Sequence, residues 1–287
     1  MESPRVEELE SLTSPCRLCP HRCEVDRRKG IAGFCRVSTL DPMISSYGPH
    51  FGEESFLVGR GGSGTIFFTY CNMRCVFCQN YDISQLGSGK VVDIEDLVKI
   101  MLLLQKVGCH NINLVTPTPH VYSIAKAIEL ARARGLEVPI VYNSGGYDSV
   151  ETLRALKGLI DIYMPDFKYG ESKAGEELSK VKNYTEVALE AIDEMLSQVG
   201  HLEIAPNGLA RKGVFVRHLI MPNDAASSFK ALELLTKNFP GIAVNLMDQY
   251  YPTYRAHSYP KISRRINAIE WSETLEFARK LKLRIVN

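Results

Sequence analysis

The chain has 287 residues, 45% of them hydrophobic, enough to bury a substantial core. Its 34 basic and 33 acidic residues leave a net charge of +1 with histidine neutral, which announces no nucleic-acid or anionic-membrane partner. With no apolar signal-peptide core at the N-terminus and no apolar run of bilayer length, the expected location is cytoplasmic, and the eight cysteines then point to metal or redox chemistry rather than disulfides.

Residues Pro4 to Ser14 have the pattern of a short helix with Val6, Leu9 and Leu12 on one side. There follows a loop-rich stretch broken by Pro20, Gly30 and Gly33, in which Cys16, Cys19, Cys23 and Cys35 have the spacing C-x2-C-x3-C-x11-C. Four soft ligands are enough to complete a second [4Fe–4S] cluster or to close a structural zinc site, and a metal-free cysteine cluster is the remaining reading. His21 sits among these cysteines as a bystander, because four thiolates already fill a site. Residues 43–58 mix short β-prone runs with Gly and Pro and read as a lead into the main domain. The glycine-rich run 59–64 precedes a strand instead of following one, so it is a turn and not a phosphate loop. The expected division is a cysteine-rich metal-binding extension and linker over 1–58 and a catalytic domain over 59–287.

From Thr65 onward, strand and helix patterns alternate. The strands are expected at 65–70, 111–115, 139–142, 160–164, 214–220 and 242–246. Between them lie helical patterns, the clearest being Ile94, Leu97, Val98, Met101 and Leu104 behind the cap Asp93. Six such units predict an α/β fold with a parallel sheet, and periodicity does not separate an open doubly wound sheet from a barrel.

Directly after the first of these strands stands CNMRCVFCQN, with Cys71, Cys75 and Cys78 spaced C-x3-C-x2-C. Three thiolates on one loop hold three irons of a cubane and leave the fourth open to a ligand that is not protein. Buried thiols, or three zinc ligands with a distant fourth, are the competing readings.

This motif is the signature of the radical S-adenosylmethionine (SAM) enzymes. With Phe77 before the third cysteine and Gln79-Asn80 after it, the chain resembles the pyruvate formate-lyase activating enzyme branch. The resemblance implies a partial (β/α)6 barrel of the TIM type, a [4Fe–4S] cluster and SAM chelated to the open iron, with Phe77 and Asn80 near the cofactor. It also implies a flavodoxin or ferredoxin reductant, reductive cleavage of SAM, and abstraction of a hydrogen atom from a substrate. By the same resemblance that substrate is a glycine of a partner glycyl-radical enzyme. A different peptide or a small molecule is the alternative, and an electron-transfer or metal-carrier protein is the non-enzymatic one.

In a parallel β/α barrel, ligands sit at the C-terminal ends of the strands. The second end carries Thr116 and Thr118, where the activating enzymes have a Gly-Gly-Glu turn. The third, Asn143-Ser144, is similar to the family's ribose-contacting Thr-Asn-Gly, with Tyr142 where that branch has aspartate. The fourth, Met164-Pro165-Asp166-Phe167-Lys168, is similar to Met-Leu-Asp-Leu-Lys, which places Asp166 and Lys168 beside the methionine moiety. The fifth offers Arg217, which matches the arginine of the family's Arg-Tyr-Val-Val-Val-Pro and is implied as a further cation near the cofactor, its guanidinium suiting a carboxylate; His218 beside it is read either as a site residue or as a packed, hydrogen-bonded core residue. The loop from Met247 to Arg255 is expected over the mouth.

Overall fold

Short apolar strands separated by amphipathic helices assemble into one continuous sheet in the computed structural model, which describes residues 3–286. Met1, Glu2 and Asn287, at the outer limits of the two expected domains, lie outside the described residues. In chain order, the first elements are α1 (Pro4–Ser11), β1 (Met43–His50), α2 (Ser55–Val58), β2 (Ser63–Phe68), α3 (Tyr81–Ser84) and β3 (Lys90–Val91). Next come α4 (Ile94–Lys106), β4 (Ile112–Val115), α5 (Val121–Ala133), β5 (Ile140–Ser144), α6 (Val150–Ala155) and β6 (Ile162–Pro165). The chain continues through α7 (Ser172–Ser179), α8 (Tyr184–Val199), β7 (Glu203–Ile204) and β8 (Ala210–Leu219). It closes with α9 (Ser228–Asn238), β9 (Ala243–Met247), α10 (Ala268–Lys280) and β10 (Arg284–Ile285).

Strands β2, β4, β5, β6, β8 and β9 pair in that order, all parallel. They are the six strands expected from the sequence, with ends moved by at most four residues. The sheet is not closed: β10 extends it beyond β9, and β1 with β3 extends it antiparallel beyond β2. The result is a TIM-like partial barrel. The expected helix α4 forms with Asp93 as its cap, its carboxylate accepting the Asp96 N–H at 2.6 Å.

Strand alternation sorts the side chains onto two faces. Ile66, Phe68, Leu114, Tyr142, Tyr163, Val216 and Val244 join the core beneath the helices. Val141, Ile162, Met164, Phe215 and Ala243 point to the concave face, where they pack on Phe56 and Leu57.

Residues 43–58 therefore do more than lead into the main domain. Pairing with β2 makes 43–50 a sheet strand despite Gly48 and Pro49, and α2 plugs the bottom of the open barrel. Phe56 meets Phe215 edge-on at 5.0 Å, and each buried apolar side chain of the plug contributes about 1.5–3 kcal/mol. The Asn111 amide donates to Leu57 O at 2.8 Å and fixes the plug from below.

Candidate active site

The loop carrying Cys71, Cys75 and Cys78 leaves β2 through Tyr70, held at φ +68°, a conformation that costs a non-glycine residue about 1–3 kcal/mol unless its surroundings enforce it. Those surroundings are explicit. The N–H groups of Arg74 and Val76 donate to Ser179 O and Leu178 O at 2.9 and 2.8 Å, strapping the loop to the end of α7. On its other side Arg255 N–H donates to Val76 O at 2.9 Å. The Asn72 amide donates to Tyr147 O at 2.6 Å.

Cys71, Cys75 and Cys78 all line one cavity of about 910 Å³ at the C-terminal ends of the parallel strands. Each sulfur has a neighbour able to donate to a thiolate: Met73 N–H at 3.3 Å from Cys71, Ser179 Oγ at 2.9 Å from Cys75, and Ser84 Oγ at 3.1 Å from Cys78. Burial, reinforced by the neighbouring thiols, pushes the Cys71 thiol well up. Burial likewise raises Cys75 to about 11, with Lys168 pulling against it. Both shifts favour the thiol forms of Cys71 and Cys75. Among the described residues, no three His, Cys, Asp or Glu side chains gather around a single-ion position. A cubane makes no such demand, because each thiolate binds a different iron.

The strand ends divide between two faces. Thr116, at φ +60°, and Asn143 line the cavity. Thr118 does not line it: buried, it donates through Oγ1 to Asp148 Oδ1 at 2.7 Å. Ser144 borders the cavity, but its hydroxyl donates to the same carboxylate at 2.5 Å, and Tyr142 adds a third bond at 3.2 Å. Burial raises the Asp148 pKa despite these donors. Alternation is the reason: Tyr142 and Ser144 turn toward the helices, Asn143 toward the cavity. Asp166 and Lys168 form an ion pair in the cavity wall. Burial alone would depress the Lys168 ammonium, and the Asp166 carboxylate overrides it and holds the pKa above its ordinary value.

Arg217 also borders the cavity, and its carboxylate partners come from the chain itself. Nε and one terminal nitrogen grip Glu54 at 2.7 Å each, and the same terminal nitrogen pairs with Glu53. Asn245 donates to Glu54 at 2.7 Å and Asn113 to Glu53 at 3.1 Å. The sequence reading missed these four partners. One signal was available: Asn113 and Asn245 are polar residues inside otherwise apolar buried strands, INLV and AVNLM. Glu53 and Glu54 carry no periodic signal, because they precede the first barrel strand.

At the rim, buried Phe77 meets Tyr250 at 6.0 Å and Asn80 is exposed. The loop after β9 lies against the cluster loop, with Tyr254 stacked on Tyr81 at 5.0 Å. His218 is a core residue, bonded to Phe167 O at 2.6 Å and Ser228 Oγ at 2.9 Å.

The N-terminal cysteines stand behind this loop. Cys16, Cys19 and Cys35 are buried and Cys23 half-buried. Burial raises Cys19 far above its ordinary value, and the other three thiols add to the effect. Arg27, also buried, reaches Cys35 Sγ at 3.4 Å and Pro119 O at 2.6 Å, with no carboxylate partner among the described residues. A buried guanidinium facing thiols suits a thiolate-rich cage. Around these cysteines, His21 bonds to Asn72 O at 2.9 Å, Phe34 O accepts from Arg74 at 2.8 Å, and Arg36 donates to Gln85 O at 2.8 Å.

The model of the radical SAM superfamily matches residues 65–201. An uncharacterized protein of Methanocaldococcus jannaschii is 37% identical over 291 residues, covering 98% of this chain and 79% of that protein. The pyruvate formate-lyase-activating enzyme of Clostridium pasteurianum is 23% identical over 213 residues, 71% of this chain and 82% of that one. Among solved structures, methylornithine synthase superposes with a TM-score of 0.53 at 15% identity, over 77% of this chain and 63% of that one, a likeness of fold. No helix among the described residues is long and apolar enough to cross a membrane.

Proposed function

The chain belongs to the radical SAM superfamily, and from that premise we propose that Cys71, Cys75 and Cys78 hold a [4Fe–4S] cluster whose fourth iron takes SAM at the cavity wall. When bound, the cluster and SAM supply one-electron cleavage of the sulfur–carbon bond and hydrogen-atom abstraction from a substrate. The observation that carries this reading is the placement of three thiols and the Asp166–Lys168 pair on one cavity at the strand ends.

The chain's own groups have distinct tasks in this reading. Ser179, Ser84 and the Met73 N–H orient the thiolates and stabilise their charge. Lys168 would pair with the carboxylate of bound SAM, with Asp166 fixing its position. Asn143 and Thr116 offer donors and acceptors to the ribose and amino groups, and Phe77 gives the adenine an apolar wall. Ser144 and Thr118 act from behind by holding the backbone of their turns through Asp148. Arg217 holds Glu53 and Glu54 in place. The loop after Met247 excludes water from the mouth.

The Cys16, Cys19, Cys23 and Cys35 set is assigned to a second [4Fe–4S] cluster, with structural zinc as the alternative, and the buried Arg27 guanidinium 3.4 Å from Cys35 Sγ supports a thiolate-rich cage. The likeness to pyruvate formate-lyase-activating enzyme supports a flavodoxin or ferredoxin reductant, a cytoplasmic location and a partner-protein glycine as substrate.

The test is anaerobic reconstitution with iron and sulfide, followed by SAM and dithionite and assay of 5′-deoxyadenosine. Wild type is expected to form it and Cys75→Ala to form none. Equal product from the variant would overturn the assignment.

A further inference from the structure

We infer that Arg27 is the counter-cation of a metal centre at Cys16, Cys19, Cys23 and Cys35 and passes the filling of that centre on to the SAM site. Both ends of this link, the metal and the bound SAM, are taken from the function proposed above. Arg27 is only 4% exposed. Its guanidinium is always charged, and a buried charge needs an opposite one. Among the described residues no carboxylate supplies it. Neighbouring Asp26 turns away to the Arg28 N–H at 3.1 Å and the Lys29 ammonium at 3.5 Å. Buried Asp148 accepts instead from Thr118, Ser144 and Tyr142. His120, a donor to Thr69 O, brings no negative charge.

What the guanidinium meets is sulfur, one terminal nitrogen lying 3.4 Å from Cys35 Sγ, while its Nε is buried without an acceptor. Neutral thiols leave this cation unbalanced. Four thiolates outweigh the charge of a zinc ion or of an oxidised cubane, so either loaded centre is an anion that balances it.

The other terminal nitrogen donates to Pro119 O at 2.6 Å. Pro119 belongs to the turn after β4, where Pro117 and Pro119 each fix φ and make the turn one stiff piece. At its head stands Thr116, lining the cavity at φ +60°. A threonine keeps that conformation only where its surroundings impose it. Thr116 N–H to Asn143 O, Thr118 to Asp148 and His120 to Thr69 O hold the turn from within the barrel. The Arg27 bond holds it from the cysteine-rich extension. A filled centre therefore fixes Arg27 and, through it, the wall that Thr116 presents to SAM. With neutral thiols the guanidinium is better solvated outside, and that wall is released.

Equilibrium dialysis of labelled SAM against the anaerobically reconstituted chain, without reductant, reads the affinity. Arg27→Gln is expected to weaken SAM binding about tenfold, through loss of the charge-assisted bond to Pro119 O. Emptying the centre with Cys16→Ser/Cys23→Ser should weaken it by a similar factor. The combined variant should fall well short of the product of the two losses, because both act through one guanidinium. Losses that multiply would overturn the link.

Metal retention tests the charge. In a Cys71→Ala/Cys75→Ala/Cys78→Ala background, bound iron or zinc reports the N-terminal set, and analysis for both identifies which is held. Arg27→Gln is expected to lose that metal to EDTA about tenfold faster than its parent. Arg27→Lys, which keeps the charge, should lose it at close to the parent's rate. These two variants carry the test if circular dichroism shows Cys16→Ser/Cys23→Ser unfolded. Retention unaffected by Arg27→Gln, or no metal at the N-terminal set, would overturn the counter-cation role. A wild type that binds no SAM refutes the proposed function, whereas SAM binding that ignores Arg27→Gln refutes the link alone.

Discussion

The imidazole Nε2 of His21 lies 2.9 Å from the carbonyl oxygen of Asn72. One contact thus joins the loop between Cys19 and Cys23 to the residue following Cys71. The His21 ring stacks on Phe34 at 3.8 Å, and the Arg74 guanidinium covers the same Phe34 at 4.2 Å. The extension therefore braces the cluster loop from behind. His21→Ala is expected to lower unfolding free energy by about 1–2 kcal/mol through one hydrogen bond and one ring stack. Iron bound per chain after reconstitution should fall as well. Urea unfolding and iron analysis check both, and unchanged iron content would mean that the bracing has no bearing on the loop.

Arg217 is clamped by two carboxylates in the barrel interior, so its removal strands buried charge. Arg217→Gln is expected to cost about 3–5 kcal/mol in urea unfolding. Combining Arg217→Met with Glu54→Gln should recover much of that loss, because the acid that Arg217 grips through two nitrogens is neutralised with it. A single variant as stable as wild type would show that the network holds nothing together.

Gly146 adopts φ +76°, and a β-carbon there would collide with the carbonyl oxygen of Asp166. Gly146→Ala should cost roughly 2–5 kcal/mol, the sum of a left-handed backbone and overpacking. It should also weaken SAM binding to the reconstituted protein, because the strand ends bearing Asn143 and Asp166 are pushed apart. Thermal unfolding and SAM titration measure the two effects.

His120 is buried, with its Nε2 donating to Thr69 O at 2.8 Å. Burial lowers its pKa from 6.5 to about 4. Between those values the unfolded chain takes up a proton that the folded chain refuses. The His120 contribution is therefore fully present above pH 6.5 and lost as the pH falls toward 4. The change is on the order of 3 kcal/mol. His120→Gln keeps a donor for Thr69 O, and its unfolding free energy should depend less steeply on pH over that interval. An identical slope would place the acid sensitivity elsewhere.

The six barrel strands and the Asp93-capped helix were readable because burial on both faces of a parallel sheet forces short apolar runs, and because caps obey local chemistry. That Cys71, Cys75 and Cys78 stand together on the loop after the first barrel strand was readable from their spacing. What local patterns could not supply was direction. Ser144 and Asn143 are neighbours, but one bonds to Asp148 beneath the helices and the other borders the cavity. Arg217 looked like a free cation because its partners, Glu53 and Glu54, lie more than 160 residues away in the chain. Residues 51–58 gave no warning that they would enter the barrel, since a plug is defined by what surrounds it.

The plug makes the bottom of the reaction chamber a removable part. Residues 51–58 are contributed from upstream of every barrel strand, so exchanging them while keeping the Glu53 and Glu54 carboxylates that pair Arg217 alters depth and leaves the parallel strands and the Cys71–Cys78 turn as they are. A lineage, or a designer, could retool such an enzyme for new substrates by rewriting one short insert.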